Sequence, residues 1–345
     1  WSSDVCSSDL FLGFAFMTNT IVTSMLILGG AAVIQALTGI NVFVASFLIP
    51  IGIVIYTLFG GLKATFYAEY LNTALIFGIV LVFTSVVYFG NTEIGGISGM
   101  YDKLSKSSAL LPIPGNAMGT YLTMASVGAL AFGIINIIGN FGTVFVDQSY
   151  WQRAIASKPK SVVPGFVIGG LAWFAIPFAL ATTLGLSAIA MNMDISAQQV
   201  ESGLVAPLTA TKLFGDIGAI VMVSVLFTAV TAAGAAQLTS VSSLVTYDVY
   251  RTYIKPSSSG RELMRISRMA ILGFGLGMGV LSSILFVSGI SLQYLYLAMG
   301  VFIGSAVAPI SLAILWKKTN RNAATLGALA GLVIDRKSTR LNSSH

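Results

Sequence analysis

Charge is what this sequence has least of. Only 9% of its 345 residues are Asp, Glu, Lys or Arg, against about a quarter in a soluble domain. Hydrophobic residues make up 56%, and the mean hydropathy is +0.88. That is more apolar surface than one or two water-facing domains could bury, so lipid is the solvent the composition implies. Cysteine and histidine are down to one each, Cys6 and His345, both in the terminal tails. A disulfide framework, a thiolate or imidazole metal site and a His-based catalytic set are thereby excluded. There is no phosphate-binding glycine loop, and no apolar run holds two carboxylates, so nothing points to an enzyme. The net charge of +6 comes from basic residues scattered between apolar runs, with no basic, aromatic-interleaved patch, so nucleic acid is not an expected partner.

What is there is a series of long apolar segments. Crossing the hydrocarbon core takes about 20 apolar residues. Eight stretches qualify, 11–38, 42–60, 68–89, 118–146, 163–190, 217–247, 269–290 and 291–315, and a ninth at 323–334 is too short. The expected class is all-α integral membrane, with residues 11–334 as one helical bundle and the lipid bilayer as its partner. Two polar stretches, WSSDVCSSDL (1–10) and DRKSTRLNSSH (335–345), look foreign to the rest and match neither a signal nor a transit peptide, so the natural protein is expected to extend beyond both boundaries.

Alternate loops differ in basic residues. One set holds twelve, among them Lys63, Arg153, Arg251 and Lys317, and the other only Lys103, Lys106 and Lys212. The basic-rich set is expected in the cytoplasm, which runs the first span outward and the 118–146 span inward. The loops at 90–117 and 191–216 are then external, each long enough for a short surface helix.

Polar groups inside a membrane helix are costly unless they face protein or a water-filled cavity. Asn136, Asn140, Thr143 and Asp147 step by four, three and four, which sets them along one face of the 118–146 span. Gly128, Gly133, Gly139 and Gly142 share that span. Two readings stay open: a ligand-facing stripe in a weakened helix, or amides and glycines that join neighbouring helices. Asp147 lies near the helix end, where its carboxylate could reach cytoplasmic water, and Gln148 to Arg153 read as an interfacial belt. Thr228, Thr231, Thr239, Ser242, Ser243 and Thr246 give the 217–247 span hydroxyl and carbonyl oxygens of the kind Na⁺ accepts, beside the small run Ala232 to Ala236, which suits plain helix packing equally well. Glu69 lies one turn into the third span and could snorkel to water, pair with Lys63 or couple an ion.

Three stretches carry a family resemblance: IVTSMLILGGAAVIQALTGINVFVASFLIPIGIVIYTLFGGLKATF (21–66), AFGIINIIGNFGTVFVDQSYWQRAIASKPKSVVPGFVIGGLAWFAIPFALATTLGL (131–186) and QLTSVSSLVTYDVYRTYI (237–254). They resemble the urea active transporter branch of the sodium:solute symporter family, with similarity from Phe11 to Ile334. The resemblance implies a LeuT-like inverted repeat of two five-helix units, with substrate and ion near the bilayer midplane. The first three spans would be helices three to five of unit one, and 118–146 to 291–315 would be unit two. The first two core helices are then expected upstream of Phe11.

The resemblance also implies roles. Asn140 matches a substrate-contacting Asn of a bacterial sodium/galactose relative, and Asn136, Asn140, Thr143 and Asp147 become the substrate-binding set. Amide and hydroxyl groups suit urea, a small molecule that both donates and accepts hydrogen bonds. Glu69 matches an acidic residue implicated in ion coupling. The paired hydroxyls that bind Na⁺ in sodium-coupled relatives fall on Ala232 and Ala233, leaving the carbonyl of Ala229 and the neighbours Thr228 and Thr231. The expected activity is secondary active uptake of urea or a similar small amide, at the plasma membrane, a bacterial inner membrane being the expected setting, with H⁺ or Na⁺ as the coupling ion and no organic cofactor. The alternatives are a sodium-coupled carrier for another solute such as an organic acid, a transporter-like input module of a membrane sensor, and a channel.

Overall fold

The computed structural model describes residues 5–316 and 318–342, with side chains left undescribed at 5–8, 62–64 and 334–342. His345 and Lys317 therefore lie outside the described residues, as do the side chains of Cys6 and Lys63. Every regular element among the described residues is helical.

Twelve α-helices follow in order: α1 (Val5–Thr38), α2 (Val42–Ser85), α3 (Gly96–Leu110), α4 (Val127–Val146), α5 (Gln148–Ala156), α6 (Pro159–Leu180), α7 (Leu186–Ala190), α8 (Ala197–Glu201), α9 (Val205–Ser243), α10 (Gly260–Val287), α11 (Leu292–Leu315) and α12 (Arg321–Asn342). Eight described segments are long and apolar enough to cross a membrane. Two of them are the arms of α2, Val42–Gly61 and Thr65–Gly90, parted where Gly61 turns to φ 58° and ψ −174°. A left-handed φ there suits glycine, which has no Cβ to clash. Gly215, at φ 60°, breaks α9 in the same way and separates a surface turn from the spanning part. Wide helical turns extend the spans after α6 and α9.

Several boundaries depart from the sequence expectation. The segment predicted to span from 118 is helical only from Val127, because Ser126 adopts an extended backbone and caps the helix by accepting from the Ala129 N–H. Residues 120–126 precede it as irregular chain. α1 begins at Val5, so helix runs through part of the tail that reads as foreign, and α12 likewise continues to Asn342. The loops at 90–117 and 191–216 each carry a short helix, α3 and α8.

Lipid is as apolar as a leucine side chain, so helix association in a membrane depends on close packing and on polar links rather than on hiding hydrocarbon from water. The glycines show this directly. A Cβ on Gly234 of α9 would lie 2.5 Å from Ile53 Cδ1 of α2, and one on Gly30 of α1 would lie 2.9 Å from Ile49 Cδ1. On α4, Gly139 meets the backbone of Gly300 on α11, and a Cβ on Gly142 would lie 2.2 Å from Val307 and 2.7 Å from Ile303. These two glycines are packing residues, whereas Gly128 and Gly133 face open space.

The packed side chains fall into separate clusters. One unites α1, α2, α9 and α10 through Ile27, Ile49, Ile53, Val230, Leu238 and Met278. Another unites the start of α1 with α4, α11 and α12 through Phe14, Val146, Met299, Ile303 and Ala328. α1 belongs to both, and the junction of α4 with α5 lies where they meet.

Candidate functional site

The junction is made by one residue. Asp147 leaves the helical backbone region, at φ −78° and ψ 114°, so α4 stops and α5 starts at the same position. Its backbone N–H closes the last turn of α4 on the Thr143 carbonyl at 2.8 Å, while its carboxylate caps α5 by accepting from the Ser149 N–H at 2.8 Å. The positive end of a helix favours an anion there.

Two further bonds reach this carboxylate from two other helices. Asn19 of α1 donates through Nδ2 to Asp147 Oδ1 at 3.0 Å, and Gln237 of α9 donates through Nε2 to Oδ2 at 2.8 Å. Asn19 Nδ2 also donates to Gln237 Oε1, which closes a ring of three side chains. Asn19 is 0% exposed, Asp147 1% and Gln237 5%. Asn19 Oδ1 is buried with no hydrogen-bond partner among the described residues. The expectation that Asp147 reaches cytoplasmic water is thus corrected: the backbone break turns its side chain inward, where amide and backbone N–H groups replace solvent. Stranding a buried charge by removing a partner costs on the order of 3–5 kcal/mol, so this ring ties α1, α4, α5 and α9 together while its bonds are made.

The other members of the α4 stripe have different surroundings. Thr143 is buried and donates to its own helix, at the Gly139 carbonyl. Asn140 is exposed, and its Nδ2 lies 3.4 Å from Tyr296 Oη of α11. Asn136 is half-buried and donates to the Phe132 carbonyl one turn back. The predicted face therefore divides into an outer part with free hydrogen-bonding capacity, Asn136 and Asn140, and an inner part spent on structure, Thr143 and Asp147.

Glu69 lies on the second arm of α2 and takes Arg153 of α5 as its partner through Oε1 and Nη2. Both side chains are about a quarter exposed, at 25% and 23%. Three residues on, Asn72 donates to the Thr228 carbonyl of α9 at 3.2 Å. Glu69 and Thr228 are thereby brought to one α2 to α9 contact. The Thr228 hydroxyl donates to its own helix, to Ser224 and Val225 carbonyls. Thr231 has a buried hydroxyl with no partner among the described residues. Ala229, Ala232 and Ala233 sit half-buried on the same helix and bring no side-chain oxygen.

Two cavities adjoin the α4 to α5 junction. One of about 490 Å³ is lined by Thr57, Gln148, Gln152, Thr239, Ser242 and Arg268, among others. The second, of about 590 Å³, is lined by Asp9, Gln148, Trp151, Asp248 and Tyr253 among others. Gln148, the residue after Asp147, borders both. Among the described residues no group of three His, Cys, Asp or Glu side chains gathers as a metal site.

Asn19, Asn72, Gln237 and Tyr296 are the members that sequence reasoning missed. Asn19 and Thr23 form a polar step of four in the first span, and Gln237 is a lone amide in an apolar helix, so a signal was present for both.

A broken helix with polar groups at the break, set among membrane-length helices, is the pattern of a secondary transporter. The sequence model of the sodium:solute symporter family matches residues 8–333. The chain belongs to the sodium:solute symporter family. Within that family it is 50% identical over 340 residues to the urea-proton symporter of Oryza sativa subsp. japonica, covering 94% of this chain and 47% of the relative. It is 42% identical over 330 residues to the urea active transporter of Saccharomyces cerevisiae, covering 93% and 45%. The chain spans about half the length of these curated relatives. Among solved structures it resembles the substrate-bound outward-open state of a Na⁺-coupled sialic acid symporter, with TM-score 0.64 and 16% identity over 96% of this chain and 73% of the other. The LeuT-like symporter fold expected from the resemblance is the fold observed, and its homologues are transporters rather than enzymes.

Proposed function

We propose that this sodium:solute symporter carries urea across the plasma membrane, a bacterial inner membrane being the setting expected from sequence, and that a proton gradient drives it. The observation that carries this reading is the 50% identity, over 94% of this chain, to a protein named a urea-proton symporter. The outer amides of α4 support it: Asn136 and Asn140 offer carboxamide oxygens to urea N–H groups and N–H groups to its carbonyl. Proton rather than sodium coupling is supported by Ala232 and Ala233, which lack the side-chain oxygens a hard cation requires. Glu69 is assigned to ion coupling, and Thr228, Ala229 and Thr231 line the same stretch of α9.

The test is uptake of labelled urea by the intact protein in proteoliposomes, with pH and Na⁺ gradients imposed separately. Concentrative uptake under an inward proton gradient at clamped Na⁺ is expected. Strict dependence on Na⁺ at clamped pH would defeat the proton version, and failure of urea to compete with its own label would defeat urea as substrate.

A further inference from the structure

The Asn19, Asp147 and Gln237 ring places an acid between two packing clusters. Val146, next to Asp147, belongs to the cluster with α11 and α12, whereas Ala235 and Leu238, on either side of Gln237, belong to the cluster with α2 and α10. Asn19 lies on α1, which serves both. Alternating access requires such bodies to move against each other around a site, so a polar clasp across the seam has to open and close.

We infer that Asp147 takes up the coupled proton and that protonation opens this clasp, an assignment that rests on the proton-driven reading above. In the ionised state every bond to the carboxylate comes from an N–H group: Asn19 Nδ2, Gln237 Nε2 and the Ser149 backbone. Donors in those positions suit an anion, and Asn19 Oδ1 is the unpartnered oxygen beside it among the described residues, far short of the roughly six a hard metal cation takes. A proton is the ion that fits. Bound at Oδ2, it turns an acceptor into an O–H donor opposite the Gln237 N–H, so the Gln237 amide turns to offer Oε1. Its Nε2 then faces Asn19, whose Oδ1, buried and unpartnered in the ionised ring, accepts it as that amide turns in its own place. The outcome is a ring of reversed polarity in which Asn19 Oδ1 and Asp147 Oδ1 face each other as two acceptors. The link from α1 to the helix break is lost, while that from α9 is kept. No atom other than the proton is gained or released.

The ring holds no competing base among the described residues, and the nearest cavities reach the neighbouring residue. Gln148 borders both adjoining cavities, one residue from the carboxylate. The titratable groups nearby are Tyr150 and Arg153 on α5, Glu69 on α2 bound to that arginine, and Asp9, Asp248 and Tyr253 around the larger cavity. α1 and α9 present only amides to Asp147.

The experiment compares wild type with Asp147→Asn in the intact protein, reconstituted in vesicles. Under a proton gradient the wild type is expected to concentrate labelled urea, and the variant to fail to raise it above a ratio of about one. Accumulation by the variant at the wild-type ratio would overturn the assignment and leave proton coupling standing. Wild type that shows no proton-driven uptake would defeat the functional reading instead. Infrared difference spectra on acidification then judge Asp147 by itself: a protonated carboxyl band absent from Asp147→Asn supports proton uptake there, and no such band refutes it. If that variant does not fold, Gln237→Leu removes one donor to the ionised form. The half-activation of urea uptake should then move to higher pH by about one unit, and an unmoved midpoint counts against the proposal.

Discussion

Arg153 reaches from the short helix after the break to Glu69 on α2, 84 positions earlier, and donates to its carboxylate through Nη2. A side chain chosen from sequence as a lone membrane acid thus has a cationic partner, on the helix that Asp147 caps. One end of α5 carries the buried ring and the other this quarter-exposed ion pair.

The pair separates a structural role for Glu69 from a coupling one. At about a quarter exposure an ion pair contributes on the order of 0.2–1 kcal/mol. Glu69→Gln should therefore lower the thermal midpoint only slightly, yet cut proton-driven urea accumulation at least about tenfold (a loss of about 1.4 kcal/mol of coupling). The double exchange Glu69→Arg with Arg153→Glu should restore the midpoint without restoring accumulation. Recovery of both would make Glu69 a bracket between α2 and α5 and nothing more.

Asn140 is the α4 amide that remains available and is also held by a neighbour. Asn140→Ala should raise the urea KM about three- to tenfold with little change in stability, the range expected for one neutral hydrogen bond. Tyr296→Phe, which removes the hydroxyl 3.4 Å from the Asn140 amide, should have the same sign and a smaller size. Equal KM values for both variants and wild type, measured by initial-rate uptake, would take Asn140 out of the substrate site.

The eight apolar spans and the family were legible because hydropathy over about 20 residues and long motif blocks are local signals. The step from Asn136 to Asp147 was also legible as a stripe. Its division was not: whether a side chain on one helix is buried depends on what neighbours it, and Asn19 and Gln237 come from 128 and 90 residues away. The end of the span at Val146 was legible, with Asp147 beside it, but the inward turn of that carboxylate was hidden for a related reason. Asp ends helices through its carboxylate, but only the tertiary partners decide that it does so here rather than at the surface. Glu69 shows the same limit, since the partner it has among the described side chains is an arginine brought by the fold from 84 positions away.

Gly142 tests the packing of α4 on α11. A methyl group there would lie 2.2 Å from Val307 Cγ2 and 2.7 Å from Ile303 Cγ2. Gly142→Ala should destabilise the protein by about 1–3 kcal/mol through overpacking, read as a lower thermal midpoint in detergent. Val307→Ala removes the nearer of the two atoms, so the double variant should recover part of the loss. Additive losses would mean that α4 and α11 do not meet as described.

Thr231 distinguishes the two coupling ions on stability and transport at once. Its hydroxyl is buried on α9 without a partner among the described residues, so it already carries the cost of an unmade hydrogen bond. Thr231→Val keeps the shape and removes that group, and should leave stability unchanged or raise it by up to about 1 kcal/mol. Under the proton-driven reading, urea accumulation should also be unaffected. A sodium site rebuilt from the neighbours of Ala232 and Ala233 would draw on this oxygen, the buried hydroxyl beside them that has no partner among the described residues. Loss of Na⁺-stimulated uptake in Thr231→Val, with the protein still folded, would therefore place a cation on α9 and return sodium to the coupling scheme.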